Sequence, residues 1–432
     1  MSLGAALTVG VTSLSAASAP SFARHADYET GFGPISIAIG DLNGDGRPDL
    51  VTGNPGKASA ATVSVFLNKG DGTFQAHADH EAGRGASGVA IGDVTGDGKP
   101  DVVTANFNGD SVSVLPGRGD GTFGTQTDYP TSRAPETVAI ADLNGDGKPD
   151  LAVPSDGAGT VSVLLGRGDG FDPKRDYPVG VSPLSIAVGD LNGDGNPDLA
   201  TPNFVPSTVS VLLGRGDGSF DASRDYGTAT HPESVSIADL NGDGKADLVT
   251  ANETESVSVF LGRGDGSFGP HVDYPTGGIP WSVPVGDLNG DGKPDLATAN
   301  LDTNTISVLL NKGDGTFEPE VDHPTGPSPR WLAIGDLNGD GRLDLASANA
   351  YASTLSVLLN TAALCKVPSV AGKTMAAAKR AISLAGCRVG KVTRAHSKRV
   401  KKGRVISVKP KPGTVLPSGG KVDLVVSRGR KR

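Results

Sequence analysis

A nine-residue phrase, Asp-x-Asn-x-Asp-Gly-x-x-Asp with one variant, occurs seven times, starting at Asp41, Asp93, Asp142, Asp190, Asp239, Asp287 and Asp336. Successive starts lie 52, 49, 48, 49, 48 and 49 residues apart. A constant period of this size means that one supersecondary unit is copied along the chain, each copy burying its face against its neighbours. The length of 432 residues therefore counts units rather than ordinary domains.

The third copy shows what one unit folds into. Thr137-Val138-Ala139-Ile140-Ala141 alternates bulky and small residues, and the loop Asp142–Asp150 follows. Leu151-Ala152-Val153 and Thr160 to Leu165 read as second and third strands, and a Gly-rich turn leads to a fourth from Phe171 to Tyr177. Period-two patterning broken by Gly, Asp and Asn turns is the mark of antiparallel hairpins. Four strands in about fifty residues is the size of a propeller blade. The first strands, such as Ile37-Ala38-Ile39-Gly40 and Leu332-Ala333-Ile334-Gly335, pair a bulky side with a small one that lets the next blade approach closely.

The ends of the array predict a ring. A turn followed by Phe occurs at Phe74, Phe123, Phe171, Phe220, Phe268 and Phe317, but the last repeat stops at Leu359-Asn360 without one. Residues Ser21 to Tyr28 supply the missing piece, since they resemble Thr73 to His80. The expected architecture is all-β, a seven-bladed β-propeller over residues 21–361 whose N-terminal strand completes the last blade and removes an open edge. Closure within one chain leads us to expect a monomer.

The acidic loops predict a ligand. Side-chain oxygens stand at positions 1, 3, 5 and 9, and position 7 offers its backbone carbonyl, the pattern of a site for a hard divalent cation. In loop order these positions are Asp41, Asn43, Asp45, Arg47 and Asp49; Asp93, Thr95, Asp97, Lys99 and Asp101; Asp142, Asn144, Asp146, Lys148 and Asp150; Asp190, Asn192, Asp194, Asn196 and Asp198. The last three sets are Asp239, Asn241, Asp243, Lys245 and Asp247; Asp287, Asn289, Asp291, Lys293 and Asp295; and Asp336, Asn338, Asp340, Arg342 and Asp344. Thr95 makes the second loop the weakest. The many ligands and the flexible loop favour Ca²⁺ over Mg²⁺, with up to seven structural ions expected. Asp and Asn also make simple turns, but seven copies keeping every Asp at positions 1, 5 and 9 favour metal.

Motif, strand setting and the Gly-Asp-Gly-(Thr/Ser)-Phe turn together resemble the FG-GAP/VCBS repeat of integrin α-subunits and many bacterial surface proteins. The resemblance covers residues 21–361. It implies a seven-bladed ring and structural Ca²⁺ at these loop positions, and it carries no particular ligand, because the family hosts adhesins, lectins and accessory domains of enzymes.

Other motifs carry less. Arg-Gly-Asp at Arg118, Arg167, Arg215 and Arg263 is the same hairpin turn in four blades. His80 and His323 fill the slot taken elsewhere by Tyr28, Tyr129, Tyr177, Tyr226 and Tyr274, and read as strand residues rather than zinc ligands. No nucleophile motif occurs and no blade is seen to interrupt the repeat, so catalysis is not expected. Trp281 and Trp331 precede the first strands of blades six and seven, on the face opposite the acidic loops. Packing between blades is their plainer role; stacking on a sugar is the other.

The tail differs. Residues 365–432 hold 19 Lys+Arg and one acidic residue, Asp423, within a chain of net charge −9. Val367-Pro368 through Lys373-Thr374, a helical run from Met375 to Ala385 and three strand-like runs around Val389, Val405 and Val425 resemble a PASTA domain of bacterial cell-wall enzymes and kinases. That resemblance implies an α+β module over residues 365–428, followed by a basic end at 429–432, and contact with peptidoglycan or another anionic wall polymer. Positive charge attracts polyanions independently; the absence of aromatic residues after Cys365 argues against nucleic acid. Cys365 and Cys387 fit a disulfide and an oxidising compartment. Residues 1–19 are apolar and small with Ala17-Ser18-Ala19 near their end, and are expected to be a signal peptide. The combined expectation is a secreted or wall-associated binding or adhesion protein, with a lectin or polysaccharide-active enzyme as the alternative.

Overall fold

A computed structural model describes residues 19–57, 61–362, 364–417 and 420–431. The expected signal peptide lies, but for its last residue, outside the described residues. The chain divides into two compact units, one built from Ser21–Leu288 and Gly292–Thr361, the other around Ala362–Arg432.

The first unit is seven antiparallel sheets, six of them running through their strands in chain order. In the first, the strands are Ser36–Gly40, Asp49–Asn54, Thr62–Phe66 and Ala78–Glu81. The sixth sheet has its first strand split into Pro280–Ser282 and Val285–Gly286. Pro284 stands at the break because it has no N–H to give the ladder. Its carbonyl still accepts from Ala297 N at 3.2 Å, which holds the sheet together.

The seventh sheet is made from both ends of the chain. Ala26–Glu29 pairs antiparallel with Thr354–Leu358, Tyr28 lying opposite Leu355. Phe22 bridges Asn360 just as Phe74 bridges Asn68 in the first blade. Neighbouring blades are joined by apolar clusters, and one of these joins the last blade to the first, with Leu337, Ala346 and Leu355 packed on Ile37, Leu50 and Phe66. A linear array would lack that joint, so the seven sheets close into a ring.

Three devices repeat at the joints. Small residues let the sheets approach: a methyl group added at Gly335 would come 3.1 Å from Ile39 Cδ1 in the next blade. Fourth-strand aromatics meet the turn Phe of the following blade edge-on, Tyr28 against Phe74 at 5.6 Å and Tyr129 against Phe171 at 5.1 Å between centroids. His80 and His323 do the same against Phe123 and Phe22, so both act as packing residues. Finally, Asn68 Nδ2 donates to Leu337 O at 2.8 Å across the closing joint.

Inside six of the seven blades a buried polar relay crosses three strands; the third has Ser155 in place of the Asn and keeps only the Ser162–Asp176 link. Asn54 Nδ2 donates to Ser64 Oγ at 2.8 Å, and Ser64 Oγ donates to Asp79 Oδ1 at 2.6 Å. In the seventh blade the relay runs from Asn349 through Ser356 to Asp27, tying the two chain ends together. Such groups tolerate burial because each finds a partner.

The second unit is a small α+β module. The helix Met375–Leu384 starts at Thr374, whose side chain accepts from Ala377 N. Its buried residues Ala378 and Ile382 pack on Val405, Val422 and Leu424. These belong to a sheet in which Lys421–Ser427 runs parallel to Arg388–Ala395 and antiparallel to Val405–Lys409. The expected disulfide is present: Cys365 and Cys387 are bonded, with Cα atoms 5.1 Å apart. Among the described residues no helix is long and apolar enough to cross a membrane.

Candidate functional site

Two features of the ring bear on function, the acidic loops between first and second strands and a cavity near the starts of the first strands.

Every loop holds the glycines at positions 4 and 6 in the left-handed region, as with Gly44 at φ 72° and Gly46 at φ 81°. Only glycine takes that backbone without strain. The turn aims amides inward. Asp41 accepts from Asp45 N at 3.1 Å and from Gly46 N at 2.8 Å, and Asn43 Oδ1 accepts from the same Asp45 N at 3.0 Å. One shared N–H puts the oxygens of positions 1 and 3 on the same side of the loop. Asp45 in turn accepts from Arg47 N at 2.9 Å. These contacts recur in the other loops, as in Asp142, Asn144 and Asp146.

Position 9 is buried. Asp49 is fully buried, accepting from Leu42 N at 3.0 Å and from Asn68 N at 2.8 Å. Asp101, Asp150, Asp198, Asp247, Asp295 and Asp344 are equally buried. Burial raises the pKa of Asp49, Asp101, Asp150, Asp198 and Asp247, and that of Asp344 to about 6. This carboxylate therefore ties the loop to the third strand's end, a structural role that loop spacing alone did not reveal. At position 7 a side chain leans on position 5: Arg47 and Lys99 reach Asp45 and Asp97 at 3.6 Å, and Arg342 pairs with Asp340. In the second loop Thr95 N donates to Asp101 at 2.9 Å, while the Thr95 hydroxyl is buried without a partner. Among the described residues no three His, Cys, Asp or Glu side chains gather as a metal centre. The oxygens of positions 1 and 3 do face one way, and their charge and hardness fit a divalent cation.

The cavity, of about 320 Å³, opens among the starts of the first strands. It is lined by the residue six before each loop's first Asp: Ile35, Ser87, Glu136, Leu184, Glu233, Trp281 and Arg330, one from each blade. Contribution by all seven blades puts it on the ring axis. Asp156, Phe204 and Glu253, from the connections after the second strands, add to the wall. Trp281 and Trp331 both face it, and Trp331 also packs between the last and first blades.

Charge is concentrated here. Burial pushes the Glu233 carboxyl up to about 8 and the Glu136 carboxyl up to about 7, the nearby Arg330 only partly opposing the shift. The same burial lowers the Arg330 pKa, against the pull of Glu136 and Glu233. Its guanidinium sits 3.9 Å from the Trp281 ring centroid, a cation–π contact. Beside them His231 Nδ1 meets Glu253 Oε2 at 2.9 Å and stacks on Phe204 at 4.3 Å.

The expectation that no blade interrupts the repeat is corrected by this column. Glu136, Glu233 and Arg330 lie outside everything the repeats share. The signal lay in what they do not share: one position that changes chemistry from blade to blade between near-identical neighbours.

The FG-GAP-like repeat profile matches residues 41–104, 93–153, 142–201, 204–250, 239–298 and 287–347. The PASTA domain profile matches residues 366–428. A probable serine/threonine-protein kinase of Clostridium acetobutylicum is 43% identical over 63 residues, which is 15% of this chain and 10% of the relative. The chain thus spans about a tenth of that relative's length. Among solved structures, BBS1N in its complex with ARL6DN superposes with TM-score 0.56 at 12% identity, covering 78% of this chain and 97% of that one. Hydrazine synthase from Kuenenia stuttgartiensis gives 0.54 at 14%, covering 76% and 96%. Identities this low establish shared fold alone.

Proposed function

Because the chain belongs to the FG-GAP-like repeat family and carries a PASTA domain after its repeats, we propose that it is a secreted, non-catalytic binding protein of the cell envelope. The PASTA domain contacts peptidoglycan or another anionic wall polymer, and the propeller presents an axial cavity to a ligand. The observation that carries this reading is the pairing of that cavity, lined by all seven blades, with a strongly basic tail rich in exposed Lys and Arg. Cosedimentation of the full chain with purified cell-wall sacculi tests it. Reversing charge at the exposed Lys398, Arg399, Lys401 and Lys402 should release the protein into the supernatant. Retention unchanged by that variant, or none by the native chain, would defeat the attachment.

Calcium is part of the proposal. The side-chain oxygens of positions 1, 3 and 5, the carbonyl of position 7 and a remaining lone pair of position 9 would hold it, and it would supply charge that the clustered carboxylates otherwise lack. An ion bound only by the folded ring at a hundredfold its dissociation constant adds about 2.7 kcal/mol per site. Chelation should lower the melting temperature and Ca²⁺ should restore it; a melt indifferent to both would refute structural calcium.

A second reading, a lectin or a polysaccharide-active enzyme, draws support from Trp281 and Trp331 on the cavity wall. A glycan array, with release of reducing ends measured alongside, separates it from the first.

A further inference from the structure

We propose that the axial cavity binds a small organic ammonium ion with an oxygen acceptor beside its nitrogen, the chemistry shared by a free amino sugar and an α-amino acid. The inference rests on the binding-protein reading and gives its ligand a chemical class.

The first ground is unmet hydrogen bonding. Charged groups buried elsewhere in the ring are paired, as Asp49 is, and the buried atoms left without a partner outside the cavity, such as Thr95 Oγ1 and Ser155 Oγ, are neutral. Among the described residues no protein group hydrogen-bonds the carboxyl of Glu136, the carboxyl of Glu233 or the guanidinium of Arg330. Glu233 is only 4% exposed. The indole Nε1 of Trp281 is buried without a partner as well. All four groups belong to residues on one cavity wall. Native proteins seldom leave such groups unmatched, and a cluster of them in a concave site calls for a ligand that matches them.

The second ground is the pattern of those groups. Two are carboxyls, which accept from an ammonium; two are donors, Arg330 and Trp281 Nε1, which need an oxygen. An uncharged polyol could serve the donors, yet it would leave the charge unanswered. Facing Glu136 are Arg330 and Asp156; facing Glu233 are Arg330, Glu253 and Glu136. Glu253 already has His231. One guanidinium thus stands against two unpartnered carboxyls with Asp156 near, and with both ionised the cavity is short of positive charge. An arriving ammonium ion supplies it. About 320 Å³ has room for one monosaccharide or amino acid.

The balance of protons follows. Burial keeps Glu136 and Glu233 partly protonated near neutrality. A cation beside them favours the ionised form, so each carboxyl that ionises on binding gives one proton to the buffer.

Isothermal titration of the full chain near neutral pH, in two buffers of different ionisation enthalpy, tests this with three probes: glucosamine, alanine and N-acetylglucosamine. Glucosamine or alanine should bind with net proton release, whichever wins naming the source, and uncharged N-acetylglucosamine should bind at least about tenfold more weakly. Glu233→Gln should reduce the proton release and weaken binding about tenfold, with Glu136→Gln as a second variant and circular dichroism confirming the fold of each. The proposal falls if N-acetylglucosamine binds as tightly as the amines, if none of the three binds, or if binding releases no proton. Because wall cosedimentation reads the basic tail, silence here with retention on sacculi would end this inference and leave the envelope reading standing.

Discussion

Glu233 carries the residue-scale lesson. It is an acid placed where six other blades put Ile, Ser, Glu, Leu, Trp and Arg, and its environment rather than its identity sets its chemistry. Its pKa rises from an ordinary 4.5 to about 8, so the folded chain holds a proton there that the unfolded chain has lost. A group raised on folding contributes stability that is complete below its unfolded pKa and is lost as pH climbs through the folded one. Stability should therefore fall between about pH 4.5 and pH 8, the range that the Glu233 shift spans. Glu233→Gln, which keeps the shape and drops the charge, should match the native protein at the acid end. Near pH 9 it should be more stable by a few kcal/mol, on the order of one to four. Thermal melts across the range check this, and parallel curves for the two proteins would contradict the buried acid.

At the scale of the element, the first strand does two jobs on its two sides. Ile39 fills the joint while Gly335 of the neighbouring blade makes room for it. The alternation of bulky and small residues was legible because strand side chains alternate between faces. Gly335→Val would place its Cβ 3.1 Å from Ile39 Cδ1 and add two methyl groups to the same joint. Overpacking of this kind costs about 1–3 kcal/mol, so the variant should melt lower in a denaturant titration with the slope unchanged; a wild-type midpoint would show that the joint gives way freely. The acidic loop was less legible. Its Asp at position 9 reads as one more metal oxygen, and the fold gives Asp49 a further task, accepting from Leu42 N and Asn68 N. That partnership depends on a third-strand end 19 residues away, which no local pattern reveals.

The whole molecule depends on its two ends meeting. Ala26–Glu29 supplies the outer strand of the last blade, Asp27 completes its polar relay and Asn68 fastens the first blade to the last. Removing residues 21–29 should leave the edge of Thr354–Leu358 unpaired and Ser356 without Asp27. Such a chain should lose cooperative unfolding and associate through the bare edge; light scattering and the breadth of the melt read both, and a sharp monomeric melt would show that the strand is dispensable. The sequence by itself determined the number of blades, the place of the seam, the basic module and its two cysteines, because each is written as a period, a missing piece or a composition shift along the chain. Only the tertiary structure decided that seven positions about fifty residues apart come together at one axis. Convergence there leaves Glu233 buried, Glu136 and Arg330 half-buried, and their charged groups unmatched. Their burial is a property of the closed ring, since no single blade has an inside.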